Sequence, residues 1–327
     1  MRYTRLGRTA LEVSPLCLGT LNLGVRTTRE EAFRLMDEAL DHGINFFDTA
    51  NHYGWQVHRG LTEELIGAWF DQGDRRREKV VLGTKVFNPM SEWPNDRGLS
   101  ARHIVASCED SLRRLRTDWI DLYHMHHFDP HAGWDEIWQA MEMLTGQGKI
   151  RYVGSSNFAG WHIAAARETA TRRGHLGLVA EQCAYNLVAR QAETEVIPAA
   201  QAYGVGVFAW SPLHGGLLGG ALRKLADGTA VKTAQGRAMR ALEDRYEAVA
   251  DYEKYCAGLG LDPAEVALAW VLGRPGLTGA VIGPRTVAHL HGALAALDSP
   301  LDPAVIRRLD ELFPPVGAAG VSPPAGW

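Results

Sequence analysis

The sequence of 327 residues lacks the features of proteins that are held together by something other than a hydrophobic core. It has four cysteines and no C-x-x-C pair, which excludes a disulfide scaffold and a zinc ribbon and favours reduced, mostly buried thiols. No segment reaches about 18 uninterrupted apolar residues, and the start, MRYTRLGRTALEV, has no continuous apolar stretch. We therefore predict no signal peptide and no membrane span, and we expect the protein in the cytoplasm.

Runs of five or six like charges are missing as well. The 34 basic residues nearly balance the 38 acidic ones and leave a formal net charge of -4. A protein without a basic patch is not expected to bind nucleic acid or an anionic membrane. The 46% of hydrophobic residues and 22% of charged residues are typical of a globular protein with a substantial core.

Short apolar runs alternate with amphipathic segments along the chain. YTRLG and LEVS flank the turn-like GRTA, which predicts a small N-terminal hairpin. Helical periodicity marks TREEAFRLMDEALDHG, with a stop at Gly43, and LSARHIVASCEDSLRRLR, with an N-cap at Ser100. Runs typical of buried strands occur at 15–20, 44–50, 80–86, 120–126, 150–156, 178–182, 206–210 and 278–283.

This alternation predicts an α/β protein, a (β/α)8 TIM barrel with an N-terminal β-hairpin. We expect one barrel domain over residues 1–327, with a loosely attached Pro- and Gly-rich tail at 314–327. The rival is a doubly wound open sheet, which normally carries G-x-G-x-x-G at its first helix. That motif, the P-loop and the G-x-S-x-G elbow are all missing from the sequence.

Four polar residues stand at or just after predicted strand ends, where barrels of this kind place their active sites. They are Asp48, Tyr53, Lys85 and His126. An ammonium close to a phenol favours the phenolate, so we expect Lys85 to lower the pKa of Tyr53 from about 10. A carboxylate would keep the lysine charged, and a histidine could hold a carbonyl oxygen. No nucleophile accompanies this set, whereas a hydride from a nicotinamide would suit it.

The strings INFFDTANHYG, VLGTK, IDLYHMHH, GSSNF and WSPLHGGLLGG resemble the strand-end motifs of the aldo-keto reductases, in the order in which that family has them. The resemblance extends from LGRTALEVSPLCLGT to VIGPRT. It implies a (β/α)8 barrel that binds NAD(P)H without a Rossmann fold. It also implies that Tyr53 is the general acid, that Lys85 and Asp48 tune it, and that His126 orients the carbonyl.

The same resemblance implies the cofactor contacts. Ser156, Asn157 and Gln182 match residues that bind the nicotinamide carboxamide, and Trp210 matches the aromatic residue that stacks on the ring. Gly19 and Thr20 are also expected to contact the cofactor. The phosphates and the adenosine end would meet small or basic residues and backbone amides, namely Ser211, Leu213, Gly215, Gly216, Leu217, Gly283, Arg285 and His289. Gly292 and Ala293 depart from the family's adenine contacts, so NADPH is expected over NADH on the strength of Arg285.

Loop residues around the four polar side chains are expected to form the substrate pocket. They are Leu21, Asn22, His52, Trp55, Phe87, Trp93 and Phe128. Aromatic walls suit a small hydrophobic or ring-shaped carbonyl compound. We also expect a long loop at 223–237 to fold over the cofactor.

Two other interpretations remain at this point. His124 and His126 point the same way on a strand and could ligate zinc in a barrel hydrolase, but that leaves the other polar residues without a role, and we predict no metal centre. His124 is expected to be structural and His127 to lie at the pocket rim. The second alternative is an NADPH-binding regulatory protein that resembles potassium-channel β subunits. A homo-oligomer is allowed, and the sequence does not fix the subunit number.

Overall fold

A computed structural model describes residues 1–229 and 236–317. Two short antiparallel strands, β1 (Thr4–Arg5) and β2 (Glu12–Val13), form the predicted hairpin. Eight parallel strands follow and close into a barrel in the order β10-β3-β4-β5-β6-β7-β8-β9. They are β3 (Leu16–Gly19), β4 (Phe46–Asp48), β5 (Val81–Val86), β6 (Ile120–Met125), β7 (Ile150–Ser156), β8 (Leu178–Ala184), β9 (Gly206–Trp210) and β10 (Gly279–Ile282). The predicted fold is confirmed, although β4 is shorter and β8 longer than expected.

Helices cover the outside of the barrel. They are α1 (Arg29–Asp41), α2 (Leu61–Phe70), α3 (Arg76–Lys79), α4 (Ala101–Leu115), α5 (Trp134–Gly146), α6 (Gly160–Arg172), α7 (Val196–Tyr203), α8 (Ala221–Ala226), α9 (Gly236–Asp244), α10 (Tyr246–Leu259), α11 (Pro263–Leu272), α12 (Val287–Ala295) and α13 (Pro303–Leu312). Short 3-10 turns lie at Gln191–Glu193, His214–Gly216 and Ala296–Asp298. Thr28 caps α1 in a capping box, and Ser100 caps α4 as predicted for that residue.

The expected long loop at 223–237 is wrong in its first part. Residues Ala221–Ala226 form α8, whose amide groups at Leu222 and Arg223 donate to the Glu253 carboxylate. This tertiary contact stabilises a short helix that the local sequence does not predict. Residues 230–235 of that loop, and residues 318–327 of the expected C-terminal tail, lie outside the described residues.

Apolar side chains form two main layers. One fills the barrel interior and includes Leu6 and Val13 from the hairpin, which contact the ends of the strands opposite to the mouth. The other lies between the strands and the surrounding helices. Because the bottom is closed by the hairpin, the polar carboxyl ends of the strands are left as the open end of the barrel.

All four cysteines are buried and unpaired, as expected from their spacing. Within the described part of the chain, no single helix is long and apolar enough to cross a membrane. The helices Tyr246–Leu259 and Pro263–Leu272 meet that criterion only together, as a pair bent by 96°.

Candidate active site

Asp48, Lys85 and Tyr53 form a chain of contacts at the barrel mouth. Lys85 lies on β5, fully buried, and its Nζ donates to Asp48 Oδ2 at 2.5 Å and to the Thr49 carbonyl at 2.9 Å. The same Nζ lies 3.4 Å from the Tyr53 hydroxyl. A buried ammonium is stable only when it is paired and hydrogen-bonded. Asp48 and Thr49 provide that pairing, and the third contact aims the positive charge at the phenol.

Tyr53 sits on the turn that follows β4, and the turn depends on a glycine. Gly54 has a φ of +95°, and a Cβ there would lie 2.5 Å from Leu61 Cβ. Only glycine fits this left-handed, crowded position. The tight turn places the half-buried Tyr53 ring with its hydroxyl inward.

The net pKa of Tyr53 differs from the expected direction. Burial raises the pKa of this phenol above 10.0 and outweighs the lowering by Lys85. The expectation of a lowered pKa is therefore wrong, because desolvation of the phenolate is the larger effect. Burial also lowers the pKa of Lys85, but the charges and hydrogen bonds of Asp48 and Tyr53 raise it more. At neutral pH the site holds a protonated phenol beside a charged ammonium.

His126 lies next to this chain with its protonation state set by its surroundings. Burial, followed by the charge of Lys85, holds the pKa of His126 well below 6.5, so the ring is neutral. The Asn88 side-chain nitrogen lies 3.2 Å from His126 Nδ1 and 3.4 Å from His52 Nδ1. An amide nitrogen only donates, so both Nδ1 atoms accept and the proton of each ring is on Nε2. Sequence reasoning missed Asn88, although it lies only three residues after Lys85.

The neighbouring histidines have different surroundings. His124 is buried, with its Nδ1 3.2 Å from the Ser155 carbonyl, and burial lowers its pKa to about 4. His127 stacks on His126 with ring centres 4.8 Å apart. Among the described residues, neither His124 nor His126 belongs to a group of three side chains that could hold a metal ion. The zinc-hydrolase interpretation therefore lacks its ligand set.

The residues expected around the nicotinamide stand in a row on β7, β8 and β9. Ser156 Oγ donates to the Gln182 carbonyl at 2.8 Å. Gln182 Nε2 donates to Asp48 Oδ1 at 3.0 Å, which leaves its amide oxygen as the acceptor for a ligand. The Trp210 indole nitrogen donates to Asn157 Oδ1 at 3.0 Å, and Asn157 Nδ2 donates to the His126 carbonyl at 3.0 Å. These bonds fix the indole plane beside the polar groups.

A buried carboxyl group supports this row from behind. Glu181 is fully buried, and its oxygens accept hydrogen bonds from Ser155 Oγ at 2.5 Å and from the Phe158 amide at 3.1 Å. It therefore ties β7 and the start of the next loop to β8. Burial raises the pKa of Glu181 to about 8. Sequence reasoning passed over this residue, which precedes Gln182.

The segment after β9 forms a compact turn with several left-handed residues. Ser211, His214, Gly215 and Gly216 have φ values of +54°, +47°, +71° and +103°. The Gly216 amide donates to the Leu213 carbonyl at 2.9 Å, so this amide stabilises the turn by a hydrogen bond within it. The Leu217 side chain is buried in a small apolar cluster. Successive amides in such turns can form a concave anion site, and small residues keep it open.

The residues that are predicted to contact the adenosine part of a cofactor include basic side chains. Arg285 is half-buried just before α12, and His289 lies exposed in the first turn of that helix. Partial desolvation of its imidazole ring lowers the pKa of His289, and the charges of Arg285 and Lys224 lower it further. Lys224 comes from α8, the helix that the sequence did not predict, and was missed for that reason. Gly292 and Ala293 lie further along α12, both half-buried.

Gly19 and Thr20, two of the predicted cofactor residues, are buried at the strand ends. A Cβ on Gly19 would lie 2.7 Å from Val281 Cγ1 and 2.9 Å from the Ile282 carbonyl, so the close approach of β3 to β10 requires this glycine. Thr20 is fully buried and its hydroxyl donates to the Asp48 carbonyl at 2.9 Å. Both residues therefore shape the strand ends around Asp48.

A cavity of about 740 Å³ opens beside the polar cluster. It includes His52 and Trp55 from the predicted wall, and their rings stack 5.2 Å apart. The remaining lining residues were not predicted as wall residues: Val57, His58, Arg59, Asn88, Pro89 and Met90. They lie on the two loops that follow β4 and β5, and their closeness to Tyr53 and Lys85 in sequence is the signal that could have found them.

The other predicted wall residues do not line this cavity. Trp93 is 78% exposed and lines a second groove with residues such as Arg102 and His103. Phe128 stacks on His162, with ring centres 3.8 Å apart. Three more residues do not line the first cavity: Leu21 is exposed, Asn22 donates to the Gly283 carbonyl, and Phe87 packs its ring edge-on against His127.

Comparison with known proteins identifies the family. A model of the Aldo/keto reductase family matches residues 15–313. The chain belongs to the aldo/keto reductase family. It is 52% identical to the uncharacterized oxidoreductase YrpG of Bacillus subtilis (strain 168), over 99% of each chain. It is 31% identical to a probable voltage-gated potassium channel subunit beta of Arabidopsis thaliana, over 96% of this chain and 97% of the relative.

A third relative has a name that states a reaction class. The versiconal hemiacetal acetate reductase of Aspergillus parasiticus is 30% identical, over 96% of this chain and 98% of the relative. The family generally uses NAD(P)H and acts on small-molecule substrates. This chain is accordingly an oxidoreductase of the aldo/keto reductase family.

Proposed function

We propose that this protein is an NADPH-dependent reductase of aldehydes or ketones, in which Tyr53 gives a proton to the carbonyl oxygen. The observation that carries the proposal is the contact chain from Asp48 through Lys85 to the Tyr53 hydroxyl at the barrel mouth. The reductase names among the relatives support the same reaction class.

Each residue has a part in the proton transfer. His126, which is neutral and protonated at Nε2, donates a hydrogen bond to the carbonyl oxygen and so holds it beside the phenol. The raised pKa of Tyr53 keeps its proton in place until an alkoxide, a much stronger base, develops next to it. Lys85 then stabilises the phenolate that remains, and Asp48 keeps Lys85 charged and aimed.

The residues at the mouth fit a nicotinamide cofactor, which supplies the hydride when bound. The Gln182 amide oxygen, Ser156 and Asn157 would bind the carboxamide, and the fixed indole of Trp210 would stack on the ring. The glycine turn after β9, with Ser211, Leu213, Gly215 and the backbone of Leu217, would hold the phosphates. Gly283 would lie against the cofactor near the adenosine.

NADPH is favoured over NADH by the charge at the adenosine end. Desolvation lowers the pKa of His289, and the nearby charges of Arg285 and Lys224 add to this effect. Three groups of this kind suit a 2′-phosphate, which Arg can bind through two parallel hydrogen bonds. Gly292 and Ala293 offer no side-chain hydrogen bond to adenine, so the phosphate contact carries the preference.

The cavity indicates the class of substrate. Its stacked His52 and Trp55 rings form a flat apolar surface beside the catalytic groups. Such a surface fits a planar or ring-shaped carbonyl compound of modest size. Buried, unpaired cysteines are consistent with action in the reducing cytoplasm.

The test is a kinetic screen. NADPH oxidation is followed by absorbance with a panel of aromatic, aliphatic and sugar aldehydes and ketones, and NADH is run in parallel. We expect turnover with at least one aromatic aldehyde and a higher kcat/KM for NADPH than for NADH. The Arg285→Ala variant should lose most of this cofactor preference. Tight NADPH binding without turnover over the whole panel would contradict the proposal.

A second candidate is a nicotinamide-binding regulatory protein. The relative named as a probable potassium channel subunit beta favours it. That candidate predicts NADPH binding with negligible turnover and a stable complex with a partner protein. The same screen therefore separates the two functions.

A further inference from the structure

A cluster of possible metal ligands lies on the outer wall of the barrel, away from the mouth. Among the residues that the structure describes, Glu38, His42 and His291 form the one group of three such side chains with ligand atoms within 4.8 Å of one another. Glu38 is near the end of α1, His42 is its C-cap, and His291 lies on α12. The three side chains are 30%, 47% and 51% exposed.

The spacing of these groups is close to that of a coordination shell. Glu38 Oε1 lies 3.3 Å from His42 Nε2 and 2.7 Å from His291 Nε2. Ligands at about 2.0–2.2 Å from a tetrahedral zinc ion are about 3.4 Å apart. Small rotations of half-exposed side chains are enough to open the shorter distance and admit the ion.

The arrangement on the helices also suits a metal. Glu38 and His42 are four residues apart on α1, so they project from the same face one turn apart. The His42 and His291 rings meet edge-on with centres 5.3 Å apart, so α12 brings the third ligand to that face. The neighbouring Asp37 is directed elsewhere, because its Oδ1 accepts from the Trp69 indole at 2.8 Å.

We propose that Glu38, His42 and His291 form a binding site for a divalent transition metal of the zinc type, which cross-links α1 to α12. Two imidazole nitrogens and one carboxylate oxygen are donors that favour Zn²⁺ over Ca²⁺ or Mg²⁺. Three protein ligands leave the fourth position to water. The site is separate from the catalytic groups, and the sequence-based prediction of no metal centre did not consider it because His291 is 249 or more residues from the other two ligands along the chain.

The test uses the full chain without a histidine tag, stripped of metal with a chelator. Zn²⁺ is titrated by calorimetry, and Co²⁺ is titrated in parallel because tetrahedral cobalt absorbs visible light. We expect one equivalent to bind. His291→Ala and Glu38→Gln should each weaken binding at least about tenfold, since each removes one of three ligands. Zn²⁺ should raise the Tm of the unmodified chain and not that of His291→Ala.

The matched control is His58→Ala, which removes an exposed histidine that has a single glutamate partner, Glu64, at 3.0 Å. It should bind Zn²⁺ as the unmodified chain does. Circular dichroism confirms that each variant is folded. No binding of Zn²⁺ at micromolar concentration, equal binding by His291→Ala, or an octahedral cobalt spectrum in the unmodified chain would overturn the proposal.

Discussion

Different kinds of structure position two parts of the site. One is the floor, which is the buried cluster of Asp48, Lys85 and His126, and the other is the wall, which is the set of loop residues that line the cavity. On the floor, Asp48 and Lys85 are buried at the ends of neighbouring strands and bonded to each other. On the wall, Trp55 and Arg59 are exposed and lie on a loop. The pairing of neighbouring strands determines the positions of the floor side chains, whereas the conformation of the loops determines the positions of the wall side chains. We infer that changes on the floor abolish the reaction and changes on the wall adjust which substrate is bound.

Asn88 lies on a loop of the wall but contacts His126 of the floor. Variants of Asn88 therefore test whether this residue acts with the floor residues or only lines the cavity. Asn88→Ala should lower kcat about tenfold to a hundredfold, as expected when a group that orients a catalytic residue is lost. Asn88→Asp places a carboxylate beside Nδ1 and should raise the pKa of His126. Its kcat should then show a new ionisation near neutral pH, measured as a pH profile. A profile identical to that of the unmodified protein would show that Asn88 is only part of the wall.

Two tryptophans test the wall itself. Trp55 lines the cavity and is 47% exposed, whereas Trp93 lines a second groove. Trp55→Ala should raise KM for an aromatic aldehyde about three- to tenfold through the loss of stacking, with kcat nearly unchanged. Trp93→Ala is the matched control and should leave both constants within about twofold. If Trp93→Ala has the larger effect, the loop that carries it closes over the substrate.

The buried residue Glu181, which links β7 to β8, should make the stability of the folded protein depend on pH. Its folded pKa of about 8 lies above the ordinary value of 4.5. Between these values the folded state retains a proton that the unfolded state has lost, so stability falls as the pH rises. Glu181→Gln removes this titration and keeps an acceptor for the Phe158 amide. We expect a smaller fall in Tm from pH 4.5 to about 8 than in the unmodified protein; an unchanged slope would contradict the assignment.

The floor could be predicted from the sequence because strand ends in a parallel barrel meet at one edge. Asp48, Lys85 and His126 follow recognisable apolar runs, and their convergence needs only the barrel topology. The net pKa of Tyr53 could not be predicted, because it depends on the balance between burial and the Lys85 charge, and burial is a property of the folded state.

The residues that line the cavity could be predicted less well than the floor, because the conformation of individual loops determines which side chains reach the cavity. The loop after β5 closes on itself, with the Met90 amide donating to the Asp96 carbonyl at 3.0 Å. This closure turns Trp93 to another groove and leaves Asn88 and Met90 at the cavity. Lys224 was missed because α8 is stabilised by Glu253, which is distant in sequence. Loop contacts of this kind have no periodic signal.

The most direct test of the proton transfer is the Tyr53→Phe variant. This change removes one oxygen atom and keeps the ring beside His126, so the binding of NADPH should be preserved. We predict that kcat for the best substrate of the screen falls by a factor of about 100 or more, as expected for the loss of a general acid, while the Kd of NADPH from fluorescence stays within about twofold. Turnover close to that of the unmodified protein would contradict the account.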